Sequence, residues 1–207
     1  RLIYILMLVV LAACGEATTS YRQCPELPPM HPNYADITIP YNIAPLNFEI
    51  DSVEHIELLI KGERDWTFES RGTTMRFNER KWREMLDAER GNELLIHLTT
   101  LRDNEHCGWR SFTWTVSEDK IDNYLSYRLI EPAYEVWNEL QIVERNVENF
   151  DERLLGDNIS TDRSCMNCHT SNRAERPANF MHVRGKRGGT IYSYDGKVRK
   201  INTSTPH

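Results

Sequence analysis

Phe112-Thr113-Trp114-Thr115-Val116 sets bulky apolar side chains and threonines in strict alternation. A period of two marks a strand with one buried face, and both residue types favour extended backbone. The same reading extends upstream. Leu94-Leu95-Ile96-His97-Leu98 and Ile56-Glu57-Leu58-Leu59-Ile60 are apolar runs of strand length, and Ile37-Thr38-Ile39 and Leu46-Asn47-Phe48-Glu49-Ile50 alternate. Thr67-Phe68-Glu69 and Met75-Arg76-Phe77 are shorter segments of the same kind. Among them, Asn78 caps a predicted helix over residues 79–89, with Trp82, Met85 and Leu86 at i, i+3, i+4 spacing and Gly91-Asn92 ending it. Short strands separated by turn signals predict a mainly β chain: a small β-sandwich-like domain over residues 36–118 with a helical insertion. His55, His97 and His106 share no spacing there and read as core or surface residues rather than metal ligands.

The 207 residues suggest one or two domains, and 40% hydrophobic residues with five Trp and nine Tyr exclude a wholly disordered chain. Net charge is −6, so the whole molecule lacks the basic footprint of a nucleic-acid binder. The charge is uneven: residues 14–160 sum to −13 and residues 161–200 to +6.

Leu2 to Ala13 is twelve residues without a charge. About 20 are needed to span a bilayer, so the run reads as the apolar region of a signal peptide (residues 1–13), with Arg1 left from its basic start. Leu11-Ala12-Ala13-Cys14 resembles the lipobox of bacterial lipoproteins. The resemblance implies cleavage before Cys14 and acylation of that residue, hence an exported protein held in the cell envelope by lipid. Several acyl chains make such an anchor durable, since one gives only marginal attachment. Residues 14–35, polar and with Pro25, Pro28, Pro29 and Pro32, are expected to form an extended tether. Opening on Arg1 and stopping just after a strand pair, the chain reads as a fragment of a longer precursor.

Export puts the five cysteines in an oxidising compartment. Cys165-Met166-Asn167-Cys168-His169 is C-x-x-C-H, the pattern of covalent haem c attachment. Two thiols three positions apart add to the two vinyl groups of one porphyrin, and the adjacent His169 gives the iron an imidazole. Cys24 and Cys107 remain, either as a disulfide between tether and domain or as two free thiols. A zinc site is a rival reading, with His182 available but no second C-x-x-C. Dithiol exchange lacks the βαβ setting it requires. For the second axial position the candidates are Met181 and His182, a residue beyond Thr205-Pro206-His207, or none, which leaves an open iron suited to small-molecule or peroxide chemistry. Arg184, Lys186 and Arg187 can pair with the haem propionates or form a solvated basic loop.

Residues 119–188 form an aromatic-rich segment around this motif, with Tyr124, Tyr127, Tyr134, Trp137 and Phe150. A short helix is expected over 122–130, stopped by Pro132, and Leu140-Gln141-Ile142-Val143 reads as a strand. Asp195-Gly196 between two alternating runs signals a hairpin over 190–202.

Tyr127-Arg128-Leu129-Ile130-Glu131-Pro132, Asn149-Phe150, the C-x-x-C-H motif, His182-Val183-Arg184-Gly185 and Gly188-Gly189-Thr190 together resemble a group of uncharacterised bacterial lipoproteins. In that group a cytochrome c-like segment precedes a TolB-like β-propeller of WD-type repeats. The resemblance covers residues 127–202 well and 36–117 loosely. It implies that residues 189–207 open the first propeller blade, and it favours His182 as the distal ligand. The expected function is a monohaem electron carrier with an unidentified redox or protein partner. A scaffold lipoprotein with a structural haem, or a peroxidase-like haem enzyme, is the alternative. No serine-triad order, phosphate loop or H-E-x-x-H helix supports hydrolase or nucleotide chemistry.

Overall fold

The computed structural model describes residues 20–130, 140–166, 168–172, 178–185, 188–201 and 203. They fall into two compact units, one of residues up to 41 and 45–118, the other of 42–44 and residues from 119 onward. Both are mainly β.

The first unit runs β1 (Ser20–Cys24), β2 (Ile37–Pro40), β3 (Phe48–Glu49), β4 (His55–Lys61), β5 (Asp65–Arg71), β6 (Thr74–Met75), α1 (Glu79–Ala88), β7 (Glu93–Arg102), β8 (Glu105–Trp109) and β9 (Phe112–Ser117). β7 is the hub. β4 lies antiparallel along one of its edges, while the other edge is shared, its first half by β9 and its second by β8. β5 forms a hairpin with β4, and β1 and β2 add in parallel to β8 and β9. β3 and β6 make a separate ribbon.

The alternation read from the sequence is the alternation of burial. Ile56, Leu58 and Ile60, Trp66 and Phe68, Leu94, Ile96 and Leu98, and Phe112, Trp114 and Val116 are all buried, on four strands of one sheet. Their common face is met by α1, which buries Trp82, Met85 and Leu86 completely. Ring contacts Phe48–Phe77, Phe77–Trp82, Trp82–Trp114 and Phe112–Trp114, with centroids 6.3, 4.7, 5.8 and 6.1 Å apart, join ribbon, helix and sheet in one core. Helix and ribbon thus cover the face on which a β-sandwich would carry a second large sheet. Asn78 caps α1 as its chemistry predicts, accepting the Lys81 N–H at 3.0 Å.

Beyond α1, the wholly buried Glu89 accepts the Trp66 indole N–H at 2.9 Å and the Glu63 N–H at 3.0 Å. A Cβ at position 62 would lie 2.4 Å from its Oε2, so this close approach requires Gly62. Cys24 and Cys107 form a disulfide with Cα atoms 6.0 Å apart, inside the usual range. Over residues 20–35 the segment expected as a tether is part of the folded unit: β1 pairs along its whole length with β8, and Cys24 and Met30 are buried.

In the second unit, β10 (Tyr124–Ile130), β11 (Leu140–Asn146) and β12 (Glu152–Asp157) form one antiparallel meander. β13 (Cys168–Ser171), β14 (Ala178–Val183), β15 (Gly189–Tyr194) and β16 (Lys197–Ile201) form a second. The helix expected over 122–130 is instead strand β10. Its apolar residues fit either period, and seven cross-strand pairs with β11 decide the outcome. The hairpin around Asp195-Gly196 has positive φ at both turn positions, 51° and 70°, as a two-residue turn of this type requires. Leu140, Ile142, Met166 and Val183 form the buried core of the unit, with Leu155, Met181 and Ile191 packed against it. Asn42 docks here through both ends of its amide, donating to the Ile121 carbonyl at 3.0 Å and accepting the Ile121 N–H at 3.1 Å.

The signal segment, Cys14, Pro132, Tyr134 and Trp137 lie outside the described residues. Among the described residues, no helix is long and apolar enough to cross a membrane.

Candidate cofactor site

The chain enters the site through a turn after β12. Asn158, wholly buried, donates its N–H to the Leu140 carbonyl at 3.0 Å and accepts the Leu140 N–H on Oδ1 at 3.0 Å. The Arg163 N–H then donates to the Asn158 carbonyl at 2.7 Å, which tightens the turn. Two residues later the Cys165 carbonyl accepts the Arg184 N–H at 2.8 Å, tying the start of the motif to the end of β14. Met166 enters the core at 2% exposure.

Cys165 is half-buried and Cys168 exposed, both as free thiols. Asn167, Lys186 and Arg187 lie outside the described residues. Strand β13 starts at Cys168, so Cys168 and His169 point to opposite faces of the sheet. Cys168 is the cross-strand partner of His182, and His169 is the partner of Met181.

His169 and Met181 border a cavity of about 240 Å³ whose apolar lining includes Ile142, Leu155, Met166 and Ile191. Its polar rim is a hydroxyl chain: Ser126 Oγ lies 2.9 Å from Ser171 Oγ, which donates to Asn179 Oδ1 at 2.6 Å. His169 Nε2 is 3.5 Å from the Ser126 carbonyl, at the outer limit of a hydrogen bond. On β10, Tyr127 donates to the Glu152 carboxylate, and this bond holds its phenol above the usual pKa.

The structure therefore brings His169 and Met181 to one cavity, while neither Cys165 nor Cys168 lines it. His182 is elsewhere: its Nδ1 lies 3.1 Å from Thr190 Oγ1, which is 2.8 Å from Thr203 Oγ1. Arg184 is exposed just past β14. In the first unit, His55 lies 3.7 Å from Glu69 and His97 Nδ1 lies 2.8 Å from Ser111 Oγ, in separate places. Among the described residues, no three His, Cys, Asp or Glu side chains come together as a metal-ligand set.

Sequence reasoning missed Ser126, Ser171 and Met166 as cavity residues. Ser171 is two residues from His169 on one strand, so alternation signals it; Ser126 sits in the segment expected to be helical, where no such signal exists. Comparison with protein-family models, with curated proteins and with solved structures finds no match for this chain.

Proposed function

We propose that this chain is an exported lipoprotein carrying one haem c, attached through Cys165 and Cys168 with His169 as iron ligand, and that it transfers single electrons to an unidentified partner. The observation that carries the reading is the partition of thiols. Cys24 and Cys107 are joined, while Cys165 and Cys168 of the C-x-x-C-H motif stay free. A disulfide in the first unit also agrees with export.

The donor chemistry suits the group, with two free thiols and an imidazole within five residues, but the geometry does not: of the three only His169 borders the apolar cavity, and Cys168 lies on the opposite face of β13. The cavity, about 240 Å³, is smaller than a typical ligand pocket of about 300 Å³ or more and does not enclose a macrocycle. When bound, haem supplies a one-electron iron couple. Exposed Arg184, bonded through its N–H to Cys165, is available to a propionate.

The membrane contact in this reading is the lipid on Cys14, and nucleic acid has no part in it. On the TolB-like reading the β15–β16 hairpin opens the first propeller blade; in the structure it is continuous with β13 and β14 in one four-stranded antiparallel meander.

The test is a pyridine haemochrome spectrum of the chain expressed in a periplasm with haem-attachment machinery. A c-type α-band that survives acid–acetone extraction is expected, lost in the Cys165→Ala, Cys168→Ala double variant. A colourless protein, or a haem that extracts, overturns the reading.

A further inference from the structure

Strand β14 pairs with β13 on one edge and β15 on the other, and direct partners project to one face of the sheet. His169, Met181 and Ile191 therefore form one row, and Ser171, Asn179 and Ser193 form the next row on the same face. All six border the cavity of about 240 Å³. Ile142 and Met166, from the core of the unit, and Leu155, packed against that core, add further apolar wall. An apolar half thus meets a polar half in one cavity.

The polar half has a direction. A serine hydroxyl carries one proton. Ser171 gives its proton to Asn179 Oδ1 at 2.6 Å, so in the 2.9 Å contact between Ser126 and Ser171 it is Ser126 that donates. The chain of bonds ends on the Asn179 NH₂, which donates, and on the Ser126 oxygen, whose lone pairs accept. Both residues line the cavity. A ligand hydroxyl, which donates and accepts through one atom, matches both ends.

Charge and size narrow the class further. Among the described lining residues there is no Asp, Glu, Lys or Arg. An ion placed there loses its hydration without gaining a countercharge, which is costly. A dry cavity of about 150 Å³ takes one benzene, so one of about 240 Å³ takes roughly ten non-hydrogen atoms. The wall can adapt to their shape. A Cβ at position 156 would meet Met166 Cε at 3.0 Å and Met181 Cε at 3.2 Å, so two unbranched thioethers rest together against β12.

We propose that this cavity binds an uncharged alcohol or phenol of about ten non-hydrogen atoms. Asn179 and Ser126 hold its hydroxyl, and Met166, Met181 and Ile191 pack on its apolar body. The site stands apart from the haem reading, since neither Cys165 nor Cys168 lines it.

The experiment titrates the full chain with carvacrol (a phenol), p-cymene (the same skeleton without the hydroxyl) and the p-cumate anion, followed by amide NMR shifts. Carvacrol is expected to bind saturably, one molecule per chain, with shifts in β13, β14 and β15, and p-cumate at least about tenfold more weakly. Asn179→Leu should weaken carvacrol about three- to tenfold and leave p-cymene unchanged. Ile191→Phe, which fills the cavity, should abolish binding of both; if it does not fold, the carvacrol–p-cymene split in Asn179→Leu decides alone. The Cys165→Ala, Cys168→Ala double variant should bind carvacrol as wild type does, and a colourless wild type that binds it defeats the haem reading only. No saturable binding by wild type, p-cumate binding as tightly as carvacrol, equal losses of carvacrol and p-cymene in Asn179→Leu, or loss of binding in the double-cysteine variant overturns the proposal.

Discussion

Glu89→Ala tests how the first unit is held together, because this carboxylate is wholly buried and its partners are known. Oε1 accepts the indole N–H of Trp66, itself 4% exposed, at 2.9 Å, and Oε2 accepts the Glu63 N–H at 3.0 Å. Removal leaves the buried indole N–H without an acceptor, at about 1–3 kcal/mol, while the Glu63, Arg64 and Asn92 donors stand at exposed or part-exposed positions that water reaches, so the expected net loss is about 1–3 kcal/mol. Glu89→Gln keeps the shape but satisfies only one donor while turning an NH₂ toward the other, for about 1–3 kcal/mol. The charge state adds a second signature. Burial pushes the Glu89 pKa up, but hydrogen bonds from Trp66, Glu63, Arg64 and Asn92 outweigh it and hold the carboxyl below its usual value. A depressed folded pKa stabilises the fold above the unfolded value of about 4.3, and that contribution is lost as pH falls through the lower folded value. Wild type and Glu89→Gln should therefore converge in stability on acidification. Urea denaturation followed by tryptophan fluorescence, at neutral pH and at stepped acidic pH, measures both effects. A Trp66→Phe, Glu89→Ala double-mutant cycle isolates the indole bond. A loss under about 1 kcal/mol for Glu89→Ala, or a wild-type–Gln gap that stays constant below about pH 4.3, would refute the reasoning.

Reduction, or Cys24→Ser with Cys107→Ser, should cost about 4–5 kcal/mol by chain entropy, because the bridge closes a separation of 83 residues. Denaturation with and without reductant checks this, and a negligible difference would count against it. In the second unit Ile142 has no exposed surface, so Ile142→Ala should cost about 2–5 kcal/mol. Hydrogen exchange should show amide protection lost in β11 and β14; unchanged protection would mean that the Leu140–Ile142–Met166–Val183 core does not hold the meanders together.

Local chemistry made several elements legible without any structure. Burial of one sheet face imposes a period of two, so Phe112-Thr113-Trp114-Thr115-Val116 announces β9 and its inward residues together. The Asn78 cap and the Asp195-Gly196 turn are equally local, since each depends on the bonds and φ values of a few consecutive residues. The C-x-x-C-H spacing is local too, but where its side chains point is not: the structure places Cys168 and His169 on opposite faces of β13.

Other features exist only through partners distant along the chain. Residues 20–24 are polar and mostly exposed, and they are a strand because β8 offers an edge beside the Cys24–Cys107 bridge. Tyr124 to Ile130 carries apolar residues compatible with either period, and pairing with β11 makes it extended. The surroundings of His169 depend on the same kind of information. Met181 and His182 are neighbours in sequence, so composition and spacing treat them alike. Only the register of β13 against β14 assigns Met181 to the face of His169 and His182 to the face of Cys168. A slip of one residue would exchange them, because side chains alternate along a strand, and register is set by tertiary pairing that no local stretch of sequence encodes.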